Sequence, residues 1–309
     1  MKICAQRVIV SLFALTVLLV ALGARAVAQD DFTLRLPVVL RQPVDPAPAG
    51  LIIYTDTVNG QNDIYTIQPG GTDKSRLTNT PEYEEFPRWS PDRRSIAFVR
   101  YVVAGQSPHL MLANADGSGE RVLVAPTDST SHIGRATWSP DGRRLAFHQY
   151  TTQTNRTNLF VVDVSGGDPI NLTADLPYDT TWPEWSPDGT QILFLAYGTE
   201  HDLRILNLTG GGVTPLINYI SSETPNDWSP DGATILFQAQ YGSYDGLHTI
   251  PATGGASDYI IPDGQFGRWS ADGASLVFTT ENGGIFRAAA DGSSVTPVDP
   301  SPDAWGPDW

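Results

Sequence analysis

From residue 51 onward the chain is a succession of short apolar runs closed by turns. One run follows each turn of a repeated kind: Ser95-Ile96-Ala97-Phe98-Val99, Leu145-Ala146-Phe147, Ile192-Leu193-Phe194-Leu195, Ile235-Leu236-Phe237 and Leu276-Val277-Phe278. A second run lies beyond a polar loop, at residues 110–112, 159–162, 203–206, 247–250 and 285–287. A glycine-bearing turn and a final short segment, such as residues 169–173, complete the unit. Together with the tryptophan-bearing segment ahead of the turn, this pattern predicts four short strands per unit. No stretch carries sustained helical periodicity with caps, so helical arrays are excluded.

The turn itself is Trp138-Ser139-Pro140-Asp141-Gly142, with copies from Trp185 and Trp228. Near-copies start at Trp89, where Arg93 replaces the glycine, and at Trp269, where Ala271 replaces the proline. A last fragment stops on Trp309. Proline presets φ at the second turn position, aspartate bonds nearby backbone N–H groups, and glycine accepts positive φ. Asp92, Asp141, Asp188, Asp231 and Asp272 therefore read as structural turn residues. One such aspartate per unit, set apart around a ring, does not make an acid–base or metal set. The tryptophans lie 49, 47, 43, 41 and 40 residues apart, the range of propeller blades.

Tandem four-stranded units give an all-β propeller. The first unit, residues 51–80, lacks a tryptophan strand, and the last, residues 304–309, is only that strand. The two halves complete one blade, which predicts six blades and a ring closed by pairing the C-terminal strand with the N-terminal three. Closure hides edges that would otherwise template aggregation.

The Pro-x-Trp-Ser-Pro-Asp-Gly…Phe…Leu-Thr pattern resembles the TolB-type propeller repeat, a relative of the WD-repeat propellers. The resemblance runs from Leu51 to the end of the chain. It implies a propeller alone, without the α/β domain that precedes the propeller in TolB and without the hydrolase domain that accompanies such propellers in prolyl-oligopeptidase-type enzymes. This repeat serves unrelated functions, so the site must be argued separately.

Residues 1–28 read as a bacterial secretory signal, with Lys2 and Arg7 ahead of an apolar stretch at 8–22 and a small-x-small cleavage site at Ala26-Val27-Ala28. Cleavage after Ala28 would place the protein in the periplasm or outside the cell, without stable membrane insertion. An uncleaved anchor is the alternative, at the lower limit of length for a span. Residues 29–50 form a proline-rich linker. The only cysteine, Cys4, lies within the signal, so the exported chain can have no disulfide and no thiolate chemistry. The net charge is −15, and removal of Lys2, Arg7 and Arg25 with the signal takes it to −18. That balance excludes nucleic acid and anionic membrane as partners.

Nucleophile-elbow, metalloprotease and phosphate-loop motifs are missing from the sequence. The five histidines share no metal spacing. No catalytic residue, metal or cofactor is therefore assigned. The candidate site comes instead from positions that vary within the repeat. Alternation puts the residue just before each repeat tryptophan (Trp89, Trp138, Trp185, Trp228, Trp269 and Trp309) on the face opposite the indole. Those residues are Arg88, Thr137, Glu184, Asp227, Arg268 and Asp308. They border the axial channel, either as blade-to-blade ion pairs or as a polar lining. Four aromatics outside the signature, Phe86, Trp182, Phe266 and Trp305, lie just upstream, with Glu84, Glu85 and Asp179 nearby. Aromatics and acids at one mouth suggest a recognition surface for a cationic protein or peptide. A channel plug is the competing reading. The expected function is an exported, monomeric, non-enzymatic binding scaffold. The alternative is a carbohydrate-binding module or a propeller enzyme of lyase or lactonase type, with its site at the channel mouth.

Overall fold

The computed structural model describes residues 45–309, apart from 103–106, 127, 129, 199–200, 218–221, 241 and 243. The signal segment and most of the linker lie outside the described residues. Among the described residues all regular structure is β, in six four-stranded antiparallel sheets. Blade 1 holds β4 (Tyr83–Trp89), β5 (Ser95–Tyr101), β6 (His109–Asn114) and β7 (Arg121–Val124). Blade 2 holds β8 (His132–Trp138), β9 (Arg144–Thr151), β10 (Arg156–Asp163) and β11 (Ile170–Asn171). Blade 3 holds β12 (Asp179–Trp185), β13 (Gln191–Tyr197), β14 (His201–Asn207) and β15 (Val213–Pro215). Blade 4 holds β16 (Ser222–Trp228), β17 (Thr234–Gln240), β18 (Gly246–Pro251) and β19 (Asp258–Pro262). Blade 5 holds β20 (Gly264–Trp269), β21 (Ser275–Thr280), β22 (Ile285–Ala289) and β23 (Thr296–Asp299). Blade 6 joins β24 (Ala304–Asp308) to β1 (Ile52–Val58), β2 (Gln61–Ile67) and β3 (Ser75–Arg76). The closure expected from the sequence is thus present, with Asp308 opposite Ile53 and Ala304 opposite Asp56.

The tryptophan strands are innermost and touch in order, β4 to β8, β12, β16, β20, β24 and back to β4. Between each two blades lies one apolar layer, and alternation explains its composition. On β5, Ile96 and Phe98 face the layer shared with Ile53 and Ile64 of blade 6, while Ala97 faces Leu145 and Phe147 of blade 2. The same division recurs at β13, where Ile192 and Phe194 face blade 2 and Leu193 and Leu195 face blade 4. Trp138 and Trp228 also tie neighbouring blades together through their indoles. Trp138 Nε1 donates to Arg88 O at 3.2 Å, and Trp228 Nε1 donates to Glu184 O at 3.2 Å.

The five turns share one hydrogen-bond set. In the third copy Ser186 Oγ donates to Asp188 Oδ1 at 2.7 Å, Thr190 N–H donates to the same oxygen at 3.0 Å, and Gln191 N–H returns to Ser186 Oγ at 3.0 Å. The other four copies repeat it around Asp92, Asp141, Asp231 and Asp272. The fourth turn position has φ of 68–73° at Gly142, Gly189, Gly232 and Gly273. Arg93 holds it at 56° in the first copy, stacked over Trp89 at 4.8 Å and donating to Leu51 O at 2.7 Å. The last residues of the expected linker are not free of the propeller. Ala47 N–H donates to Arg93 O at 2.8 Å, and Ala47 packs against the layer between blades 6 and 1.

Every inner strand carries a register shift two to four residues ahead of its tryptophan or, in β24, opposite Ile53–Thr55. Such a bulge adds a residue and re-aims the side chains around it. Strict alternation along the inner strand therefore fails above the residue preceding the tryptophan. The position three residues before it becomes the one that feeds the axis.

Candidate functional site

Phe86, Trp182 and Phe266 occupy that bulge position in blades 1, 3 and 5, with φ of 55°, 55° and 51°. In blade 6 the position is Gly306, φ 61°, and Trp305 stands beside it. The left-handed region is unusual for bulky L-residues and costs roughly 1–2 kcal/mol each. The rings meet on the axis. Phe86 lies edge-on to Trp305 (5.1 Å between centroids, 80°) and to Trp182 (5.9 Å, 89°). Phe266 completes the cluster at 6.0 Å from Trp305, 6.3 Å from Trp182 and 6.4 Å from Phe86. All four side chains remain part-exposed. The cluster thus closes the axis on itself while presenting aromatic surface outward.

Alongside the cluster is a charged layer. Glu184 is buried, and Arg268 grips it with both terminal nitrogens, at 2.8 and 2.5 Å. Arg135 Nη2 donates to the same carboxylate and to Pro225 O at 3.0 Å, and the Arg135 guanidinium lies over the Trp182 ring at 4.6 Å. Burial pushes the Glu184 carboxyl up, but Arg268 and Arg135 outweigh it and hold the group below its usual range. Arg268 also lies 3.4 Å from Asp227. Burial raises Asp227 to about 6 against the pull of Arg268. Asp227 and Asp308 accept the backbone N–H of the next repeat tryptophan, Trp269 at 2.9 Å and Trp89 at 2.8 Å. Arg88 is buried, with Nη1 donating to Pro87 O at 3.1 Å, and burial beside Arg268 lowers it to about 10. The principal partner of Arg268 is thus Glu184, two blades away, rather than its sequence-order neighbours.

The acids expected at the mouth are engaged within a blade or by the neighbouring one. Glu84 is fully buried, bound by Arg100 at 2.5 and 2.8 Å and by Thr80 Oγ1 at 2.8 Å. Glu85 accepts from Asn62 Nδ2 at 3.0 Å, and burial raises its carboxyl. Asp179 is held by Arg156 Nε at 2.7 Å. A cationic partner therefore loses the free carboxylates on which that expectation rested. Lys74, the one lysine after residue 28, is tied to Asp56 at 2.6 Å and Asp299 at 2.7 Å, where Tyr54 OH also donates to Asp299.

Sequence reasoning left Arg135 out of the site. It stands three residues before Trp138, the position of Phe86, Trp182 and Phe266, and that alignment was the available signal. It forms part of the wall of a cavity of about 300 Å³ beside the cluster, with Phe86, Trp182, Tyr101, His132 and His148. His148 is held neutral, lowered to about 3 by burial and by Arg135, and its Nδ1 accepts Trp182 N–H at 3.3 Å. Among the described residues no group of three or more His, Cys, Asp or Glu could hold a metal ion, and no helix is long and apolar enough to cross a membrane.

The sequence profile of the TolB beta propeller domain matches residues 99–297. No curated protein matches the chain. Among solved structures, TolB from Acinetobacter baumannii is similar at 20% identity with a TM-score of 0.73, over 84% of this chain and 66% of that one. The chain thus spans just under two thirds of that protein. A chain of a nidogen/laminin complex is similar at 10% identity and TM-score 0.65, over 84% and 97% of the two chains. An oligogalacturonate lyase from Vibrio parahaemolyticus follows at 14% identity and TM-score 0.56, over 83% and 76%. At these identities the likeness concerns the fold.

Proposed function

Because the chain belongs to the TolB beta propeller domain family, we propose that it is a non-enzymatic scaffold whose aromatic channel mouth binds a protein or peptide. The observation that carries this reading is the placement of three bulky aromatics at left-handed bulge positions. The blades do not need them, since Gly306 serves the same position in blade 6 and Pro225 stands there in blade 4. Backbone strain held at a cluster of this kind points to a use beyond folding. Part-exposed tryptophan and phenylalanine supply large contact area with few rotors, which suits them to recognition. Export is part of the proposal and rests on residues 1–28.

A sugar-binding or lyase-like role is the second reading, favoured by the part-exposed ring of Trp182 beside a cavity with two histidines. It requires saccharide to bind and, in the lyase-like case, to turn over. The distinguishing experiment is affinity capture from the exported fraction of the host with the full exported chain as bait. A partner held by wild type and released by Trp182→Ala and Trp305→Ala supports the scaffold. Degradation or retention of acidic oligosaccharides, with no captured protein, supports the second reading.

A further inference from the structure

We propose that the cavity beside Trp182 is a carboxylate-binding site anchored by Arg135, which takes a free carboxylate carried on an aromatic or apolar group. It deepens the mouth reading, because Phe86 and Trp182 belong to both.

Three observations converge on Arg135. Its side chain is 1% exposed, yet Nε and Nη1 have no hydrogen-bond partner among the described residues. Burial pushes the Arg135 guanidinium down and Glu184 beside it pulls it back up; a guanidinium so paired keeps its charge and seeks a planar, two-oxygen acceptor. The local ion pairing is also uneven. Glu184 serves both Arg135 and Arg268, whereas Arg268 has Asp227 as a second partner. Asp227 and Asp308 are further engaged by the Trp269 and Trp89 amides, and Arg88 makes no ion pair among the described residues. Arg135 and Arg88 are thus both short of an acceptor, and of the two it is Arg135 that stands in the cavity wall.

His148 stands in the same wall. Its Nδ1 accepts the Trp182 amide, so the neutral ring carries its proton on Nε2. A Cβ on Gly134 would stand 1.9 Å from that Nε2, so only glycine leaves the imidazole in place. The tyrosine hydroxyls in the wall are already engaged, Tyr150 with Asn155 at 2.9 Å and Tyr101 with Glu85. The rest of the lining includes Phe86, Pro108, Ile133 and Trp182. A volume of about 300 Å³ suits one residue-sized group, not a folded segment. A cation entering here would meet Arg135. Two sources share the required chemistry: the C-terminal residue of a peptide and a free aromatic acid.

The test is titration calorimetry of the exported chain with N-acetyl-phenylalanine and with its amide. The acid should bind at least about tenfold more tightly, the scale of a charge-assisted pair. Arg135→Gln should abolish that preference. If this variant does not fold, the comparison of acid and amide on wild type decides. A peptide ending Gly-Ser-Phe with a free carboxylate that binds more tightly than the acetylated residue identifies a chain terminus, and equal affinity identifies a free acid. Equal binding of acid and amide, binding of neither, or a preference retained in Arg135→Gln overturns the proposal. Partner capture that persists through such a failure, and is lost in Trp305→Ala, leaves the scaffold reading standing.

Discussion

The backbone N–H of Trp89 donates to Asp308 Oδ2 at 2.8 Å, so the first repeat tryptophan is held by a residue 219 positions later in the chain. The same relationship joins Trp269 to Asp227. At the seam it couples blade 1 to the single strand that the C-terminus lends to blade 6.

Removal of residues 302–309 is expected to destabilise the whole ring. The deletion takes away β24, leaves β1 with an open edge, and breaks the Trp89–Asp308 contact. A lowered melting temperature and self-association on gel filtration are the expected readouts. Unchanged melting of a monomeric truncated protein would contradict closure by this strand.

Asp188→Ala is expected to lower stability by about 1 kcal/mol, the scale of a lost local side-chain-to-backbone bond, and to leave binding intact. The Ser186 hydroxyl and the Thr190 amide hold this carboxyl below its usual range. Its contribution is therefore present above the unfolded value and is lost as pH falls through the folded one. Denaturant titration of the variant against wild type checks the magnitude, and loss of binding at full stability would move Asp188 into the site.

Asp227 works in the opposite direction. Its folded value is raised from 3.8 to about 6, chiefly by burial. The native state thus holds this proton more tightly than the unfolded chain, and stability is lost as pH rises from about 4 through about 6. Asp227→Asn should flatten that part of the stability profile, read as melting temperature against pH. A profile identical to wild type would show that the channel solvates the carboxylate.

At Phe266, glycine should be tolerated better than alanine, the reverse of an ordinary strand position. Both substitutions remove the ring, but only glycine relieves φ 51°, a difference of about 1 kcal/mol. Urea midpoints of Phe266→Gly and Phe266→Ala decide the order.

Blade number, strand count and ring closure were legible because Trp-Ser-Pro-Asp-Gly fixes a turn by local chemistry, and its spacing counts the blades. The aromatics of the mouth were legible as departures from the repeat. The bulge was not, since one extra residue in a strand leaves no signature in composition, and with it Arg135 was missed. Glu84 was placed too far out for a related reason. Glu84 stands directly across from Arg100 in the β4–β5 register, and that pairing depends on where the bulge falls.

The central claim is that the aromatic cluster at the channel mouth binds a partner. Its most direct test is the Kd of the captured partner for Trp182→Ala and Trp305→Ala beside wild type, with melting temperatures measured on the same samples. A central aromatic contributes about 2 kcal/mol or more, so each variant should bind roughly thirtyfold more weakly while remaining folded at the assay temperature. Unchanged affinity in both, or a loss that follows unfolding, would make Trp182 and Trp305 a plug of the ring.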